Sequence, residues 1–147
     1  IKLGVKTIRI TDEMFLLNKK YYLPILDSLI ELNSNDDLKI WVYSRIDTVP
    51  NPIILNKIRL AGIKWIALGI ESSSKDIRLE VSKGKFEDVK VETIVKQIEA
   101  ADINVMANYI YGLPGDNEKT IEETYQLSAK LNTLGWNTYA AMALADL

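Results

Sequence analysis

The sequence predicts an α/β fold built on a parallel sheet. Three observations carry this expectation. Apolar, β-branched runs alternate with amphipathic stretches along the whole chain. Each strand-like run recurs after roughly 25 to 40 residues, about the length of a βαβ unit. The strand-like runs are apolar throughout, as in sheets covered on both faces. Parallel neighbours need crossover connections, and those are right-handed.

The elements follow in order. The run 6–11, KTIRIT, reads as the first strand. The stretch 21–33 places Leu23, Leu26, Leu29 and Ile30 at helical spacing. LKIWVYS at 38–44 reads as a strand again. In 52–62, Ile54, Leu55, Ile58 and Ala61 share one face, with Pro52 suited to a first turn and Gly62 to the end. IKWIALGI at 63–70 is a nearly continuous apolar strand. After a short polar patch, the stretch 89–101 aligns Val91, Ile94, Val95, Ile98 and Ala101 in a stripe. The run 103–111 is a strand, 120–135 a helix stopped at Gly135, and 136–145 a final strand weakened by its alanines. Trp41, Trp65 and Trp136 lie in or beside strands, and core filling is the role expected of them.

Composition narrows the chemistry. The 147 residues suffice for one domain with a core, and 48% of them are hydrophobic. The net charge of −2 gives no basic face for a nucleic-acid backbone. No apolar run has the length of a membrane span, and no signal peptide is visible, so the cytoplasm is the expected compartment. There is no Cys and no His. That removes thiolate nucleophiles, the usual zinc sites and any Ser–His pair from this chain, and leaves acid–base work to Asp, Glu, Lys or Tyr.

In parallel α/β folds, ligands bind at the carboxyl ends of the strands. Those ends here carry Asp12 and Glu13; Ser44, Arg45 and Asp47; Glu71 with Ser72, Ser73 and Ser74; Gly112 to Asp116; and Asp146. Asp116 precedes a helix starting near Glu118 and is expected to cap it. Asp12 is a cap or a site residue. Glu71 is a poor cap directly after a buried strand, which makes it a candidate ligand contact. Arg45 is placed to hold a carboxylate, either a ligand's or that of Asp47. Gly112 and Gly115 flank Leu113-Pro114 just before a helix. Neither a Walker loop nor a dinucleotide fingerprint is present, so this backbone is expected to approach a flat, uncharged group.

An acidic rim of this kind also suits a magnesium- or manganese-dependent barrel hydrolase or lyase, since hard cations prefer carboxylate oxygens.

The ordered set GIES (69–72), KG (83–84) and NYIYGLPGDN (108–117) resembles the core of the radical S-adenosylmethionine (radical SAM) enzymes. The segments YSRID (43–47) and LAGIKWIALGIES (60–72) resemble its successive βα units. ITDEMFLLN (10–18) is similar to a segment in members with a cobalamin-binding or related accessory domain. The resemblance implies a partial (β/α)6 barrel of which about five units are present. It implies S-adenosylmethionine as cofactor, bound to a 4Fe–4S cluster on three cysteines, and the generation of a 5′-deoxyadenosyl radical. It places Asp12 and Glu13 near the methionyl amino group, and Arg45 with Ser44 near the methionyl carboxylate. Glu71 falls near the ribose or amino group, Ile110 and Gly112 along the adenine, and Ala143 at a backbone contact to adenine. The cysteine loop is absent, so the cluster's ligands are expected outside this chain, which is expected to be an inactive portion of a longer enzyme. An open edge at 6–11 would then favour self-association. The substrate, small or macromolecular, is not specified by these residues.

Overall fold

The structure, a computed structural model, describes residues 3–33, 35, 37–81 and 90–140. Five strands form one sheet in the order β1-β2-β3-β4-β5, and every pairing is parallel. The strands are β1 (Thr7–Arg9), β2 (Lys39–Arg45), β3 (Ile63–Glu71), β4 (Asn104–Tyr111) and β5 (Gly135–Ala140). The helices are α1 (Lys19–Leu32), α2 (Pro52–Leu60), α3 (Lys75–Val81), α4 (Val91–Ala100) and α5 (Glu118–Leu131). Sequence order equals spatial order, so the sheet winds in one direction and all five carboxyl ends meet at one rim, as expected of part of a (β/α) barrel.

Local chemistry starts and stops the helices. Asn18 and Asn51 cap α1 and α2 by accepting from Lys20 N and Ile54 N. Asn117 caps α5 in a reciprocal box with Thr120. The left-handed Asn132 ends α5 three residues before the expected stop at Gly135, which opens β5 instead. Between α1 and β2, the buried side chain of Asn33 accepts from Leu38 N at 2.8 Å and donates to Leu38 O at 3.1 Å, so both backbone groups of that turn are satisfied inside the protein.

The core lies between the sheet and its helices. Tyr22 and Leu26 of α1, Leu55 and Ile58 of α2, and Val95 and Ile98 of α4 pack over Ile40, Val42, Ile66, Leu68, Val105 and Ala107. Each fully buried side chain of this size contributes about 1.5–3 kcal/mol from the area it removes from water.

Two expectations are corrected. The strands are not apolar on both faces: in β2, buried Ile40, Val42 and Ser44 alternate with half-buried Trp41, Tyr43 and Arg45. Period-two pleating sends the second set to the open, concave face. Trp41 and Trp65 therefore stay out of the helix-covered core and stack on each other in the open, with ring centroids 6.3 Å apart. The side chain of Trp136 lies outside the described residues. The second concerns α3, a short helix where the sequence reads only as a short polar patch. Among the described residues, no helix is long and apolar enough to cross a membrane.

Candidate functional site

The concave face of the sheet carries the chemistry. A cavity of about 260 Å³ at the carboxyl rim is lined by Glu13, Met14, Tyr43, Ser44, Arg45, Ala67, Gly69, Glu71 and Asn108. These come from the segment after β1 and from β2, β3 and β4, so neighbouring parallel strands converge on one volume.

Glu71 is set by an irregularity of its strand. Register between β3 and β4 shifts between Gly69 and Glu71, so that Glu71 aligns with Tyr109. Glu71 has φ +68°, a left-handed conformation uncommon for a residue with a Cβ. The amide of Ser72 donates to the carbonyl of Ile70 at 2.9 Å, closing a three-residue turn around Glu71. The turn folds the Glu71 side chain back over Gly69: a Cβ at residue 69 would lie 2.5 Å from Glu71 Oε1. Burial pushes this carboxyl above the usual glutamate range. It makes no hydrogen bond or ion pair among the described residues. Such a strained, half-buried acid facing a cavity is the arrangement found where proteins hold ligands.

Three other acids near the rim, Asp47, Asp12 and Asp116, have protein partners. Asp47 takes the fork of Arg45 through Nε and Nη2, the second bond measuring 2.6 Å. Asp12 accepts from Met14 N at 2.9 Å in a tight turn well ahead of α1, so it caps no helix. Asp116 does not cap α5 either, because Asn117 does. Asp116 instead accepts from Gly112 N and Leu113 N, both at 3.0 Å, and from Thr120 Oγ1 at 2.8 Å. The loop after β4 is thereby pinned to the first turn of α5. Gly112, with φ +81°, makes the bend, and its amide is used within the loop.

The residues expected at the site divide accordingly. Glu13, Ser44, Arg45 and Glu71 line the rim cavity. The Ser44 hydroxyl, however, sits on the helix side of β2 and hydrogen-bonds Thr48 Oγ1 at 2.8 Å. Ile110 lies on β4 one pleat beyond Asn108, in register with Tyr139. Asp12, Ile110 and Gly112 are not part of the cavity wall. Ala143 and Asp146 lie outside the described residues, as do Lys83 and Gly84. Tyr43, Met14 and Asn108 line the wall without having been anticipated. The alternation in WVYSR and MANYI was the signal for Tyr43 and Asn108; nothing in the sequence marks Met14.

A family model of the Radical SAM superfamily matches residues 1–128. The chain belongs to the radical SAM superfamily. An anaerobic magnesium-protoporphyrin IX monomethyl ester cyclase from Cereibacter sphaeroides is 26% identical over 126 residues, covering 85% of this chain and 20% of its own length. A bacteriochlorophyllide d C-12(1)-methyltransferase from Chlorobaculum tepidum is 23% identical over 126 residues, covering 84% of this chain and 27% of its own. The chain thus spans between a fifth and about a quarter of these relatives. Among solved structures, a radical SAM methyltransferase from Kitasatospora setae, with cobalamin and a [4Fe-4S] cluster bound, superposes with a TM-score of 0.85. It is 17% identical, and the match covers 97% of this chain and 29% of that one.

Radical SAM chemistry uses S-adenosylmethionine and a 4Fe–4S cluster, and the two fit this chain differently. The sequence has no Cys, and among the described residues no three His, Cys, Asp or Glu side chains gather to hold a metal ion. The chain therefore supplies no cysteine ligand to a cluster, and among the described residues the rim acids do not gather into a metal-holding group. The nucleoside sulfonium does fit: the rim cavity offers an unpartnered carboxylate for hydroxyl or ammonium donors.

Proposed function

We propose that this radical SAM core binds S-adenosylmethionine in the rim cavity between β2, β3 and β4, as part of an oxidoreductase or transferase. The observation that carries the reading is the Glu71 carboxylate, held over Gly69 by a strained turn and lacking a protein partner among the described residues. In this reading Glu71 accepts hydrogen bonds from the ribose hydroxyls or the methionyl ammonium. Glu13 and Asp12 add negative potential on the ammonium side. Arg45, whose charge is shared with Asp47, faces the methionyl carboxylate, and Ser44 steadies that strand end through Thr48. Ile110 and the bend at Gly112 border the adenine side, as does Ala143. S-adenosylmethionine held here would supply radical chemistry on receiving one electron from a 4Fe–4S cluster; the role of these residues would be to orient it and exclude water.

The relatives named above are a magnesium-protoporphyrin IX monomethyl ester cyclase and a bacteriochlorophyllide d methyltransferase, which supports a cyclisation or methyl transfer for the whole protein. The test is calorimetric titration with S-adenosylhomocysteine, which needs no cluster. Binding should weaken about tenfold or more in Glu71→Ala, the loss expected when hydrogen bonds to a charged group are removed. Unchanged affinity in that variant overturns the assignment.

A further inference from the structure

Deeper on the concave face lies a second cavity of about 270 Å³, lined by Arg9, Trp41, Tyr43, Ala67, Met106, Asn108, Asn137 and Tyr139. It shares Tyr43, Ala67 and Asn108 with the rim cavity, so the two adjoin through a common wall. Its lining has one formal charge, the guanidinium of Arg9. The other three arginines of the chain are engaged by protein groups: Arg45 by Asp47, Arg59 by Asp102, and Arg78 by the carbonyls of Ser72 and Ser73. Arg9 has no anionic partner among the described residues. It lies 5.0 Å from the ring centroid of Tyr43, which holds the flat fork in place and leaves its N–H edge available.

Two further features mark the same cavity as a recognition surface. Trp41 stacks on Trp65 at an interplanar angle of 25°, presenting a broad π surface. Across the cavity, Asn137 Nδ2 donates to Asn108 Oδ1 at 3.0 Å. That bond leaves a carbonyl on Asn137 and an amide donor on Asn108 for another group.

We propose that this second cavity binds the substrate, and that the substrate is a flat conjugated ring system carrying a carboxylate anchored by Arg9. A single guanidinium with no lysine beside it suits a monoanion better than a phosphate. The Trp41 indole and the amide pair suit a ring with polar edge atoms. The inference rests on the nucleoside reading of the rim cavity, since the shared wall would set the substrate beside the bound sulfonium. Arg9 acts here as a specificity residue.

The experiment measures binding of two carboxylates and their uncharged counterparts by calorimetry: indole-3-acetate against indole-3-acetamide, and protoporphyrin IX against its dimethyl ester. S-adenosylhomocysteine is titrated into the same samples. At least one acid should bind about tenfold tighter than its neutral partner. Arg9→Gln should erase that preference while S-adenosylhomocysteine affinity stays within about twofold, because Arg9 is exposed and does not itself line the rim cavity. The inference is overturned if neither acid binds, if acid and neutral form bind alike, or if the preference survives in Arg9→Gln. A failure of S-adenosylhomocysteine to bind the unaltered protein overturns the nucleoside reading instead, whatever the acids do.

Discussion

Glu71 Oε1 occupies the position in front of Gly69 that any side chain there would need: an added Cβ would stand 2.5 Å from it. The two residues share the concave face and compete for one volume. Gly69→Ala should therefore push the Glu71 carboxylate aside. The displaced atom is the end of a flexible chain, so stability should change by less than about 1 kcal/mol. S-adenosylhomocysteine affinity should nonetheless fall about tenfold. Denaturant titration and calorimetry on the same variant check both halves.

Burial raises the Glu71 pKa, and the sign of the pH effect follows. A carboxyl whose folded pKa exceeds its unfolded value of 4.5 favours the folded state fully below that value. The contribution disappears as pH rises through the raised pKa. Glu71→Gln removes the ionisation, so the variant should melt higher than the parent at about pH 7.5. The gap should narrow as pH approaches 4.5. Thermal melts across this window check the crossing.

Asp116→Ala should loosen the loop after β4. It deletes an acceptor used by Gly112 N, Leu113 N and Thr120 Oγ1, at a cost of about 1–2 kcal/mol. Asp116→Asn keeps an acceptor oxygen and should recover part of the loss. Urea unfolding of the two variants gives the comparison.

The outer edge of β1 has no strand partner among the described residues. Lys6 O and Ile10 N bond to β2, so the alternating amides of Thr7 and Arg9 face away from the sheet. Self-association through this edge should appear in light scattering at high concentration. Thr7→Pro removes an outward donor and should reduce it. A parent that stays monomeric at every concentration contradicts the expectation.

Much of the fold was legible because its signals are local and redundant. The run at 63–70 is apolar enough to be a central strand in any register, and the stripe from Val91 to Ala101 fits only a helix. Helix α3 was not legible, since seven residues with mixed polarity give no periodicity to count. At the site, Glu71 stood out because it follows a buried strand and caps nothing. Asp116 and Asn117 were indistinguishable by type, as both accept backbone hydrogen bonds, and only the helix geometry assigns the cap to the second. The sequence left Arg45 between a ligand's carboxylate and that of Asp47, and only the folded chain shows Asp47 on its fork. The tryptophans show the opposite limit. Large aromatic side chains usually mean core, and only the strand register, which the sequence does not number, sends Trp41 and Trp65 to the open face.

The offset that β3 accumulates against β4 just before Glu71 also governs how this enzyme core could tolerate changes in length. A strand is a two-phase ruler: losing Ile70 would swing the carboxylate through to the helix side and bring Ser72 inward in its place. Indels upstream of that step would scramble the rim-cavity wall, whereas those in the turn beyond Ser72 would leave it standing. Homologous chains should therefore keep the spacing from Trp65 to Glu71 fixed while the connection toward α3 drifts freely.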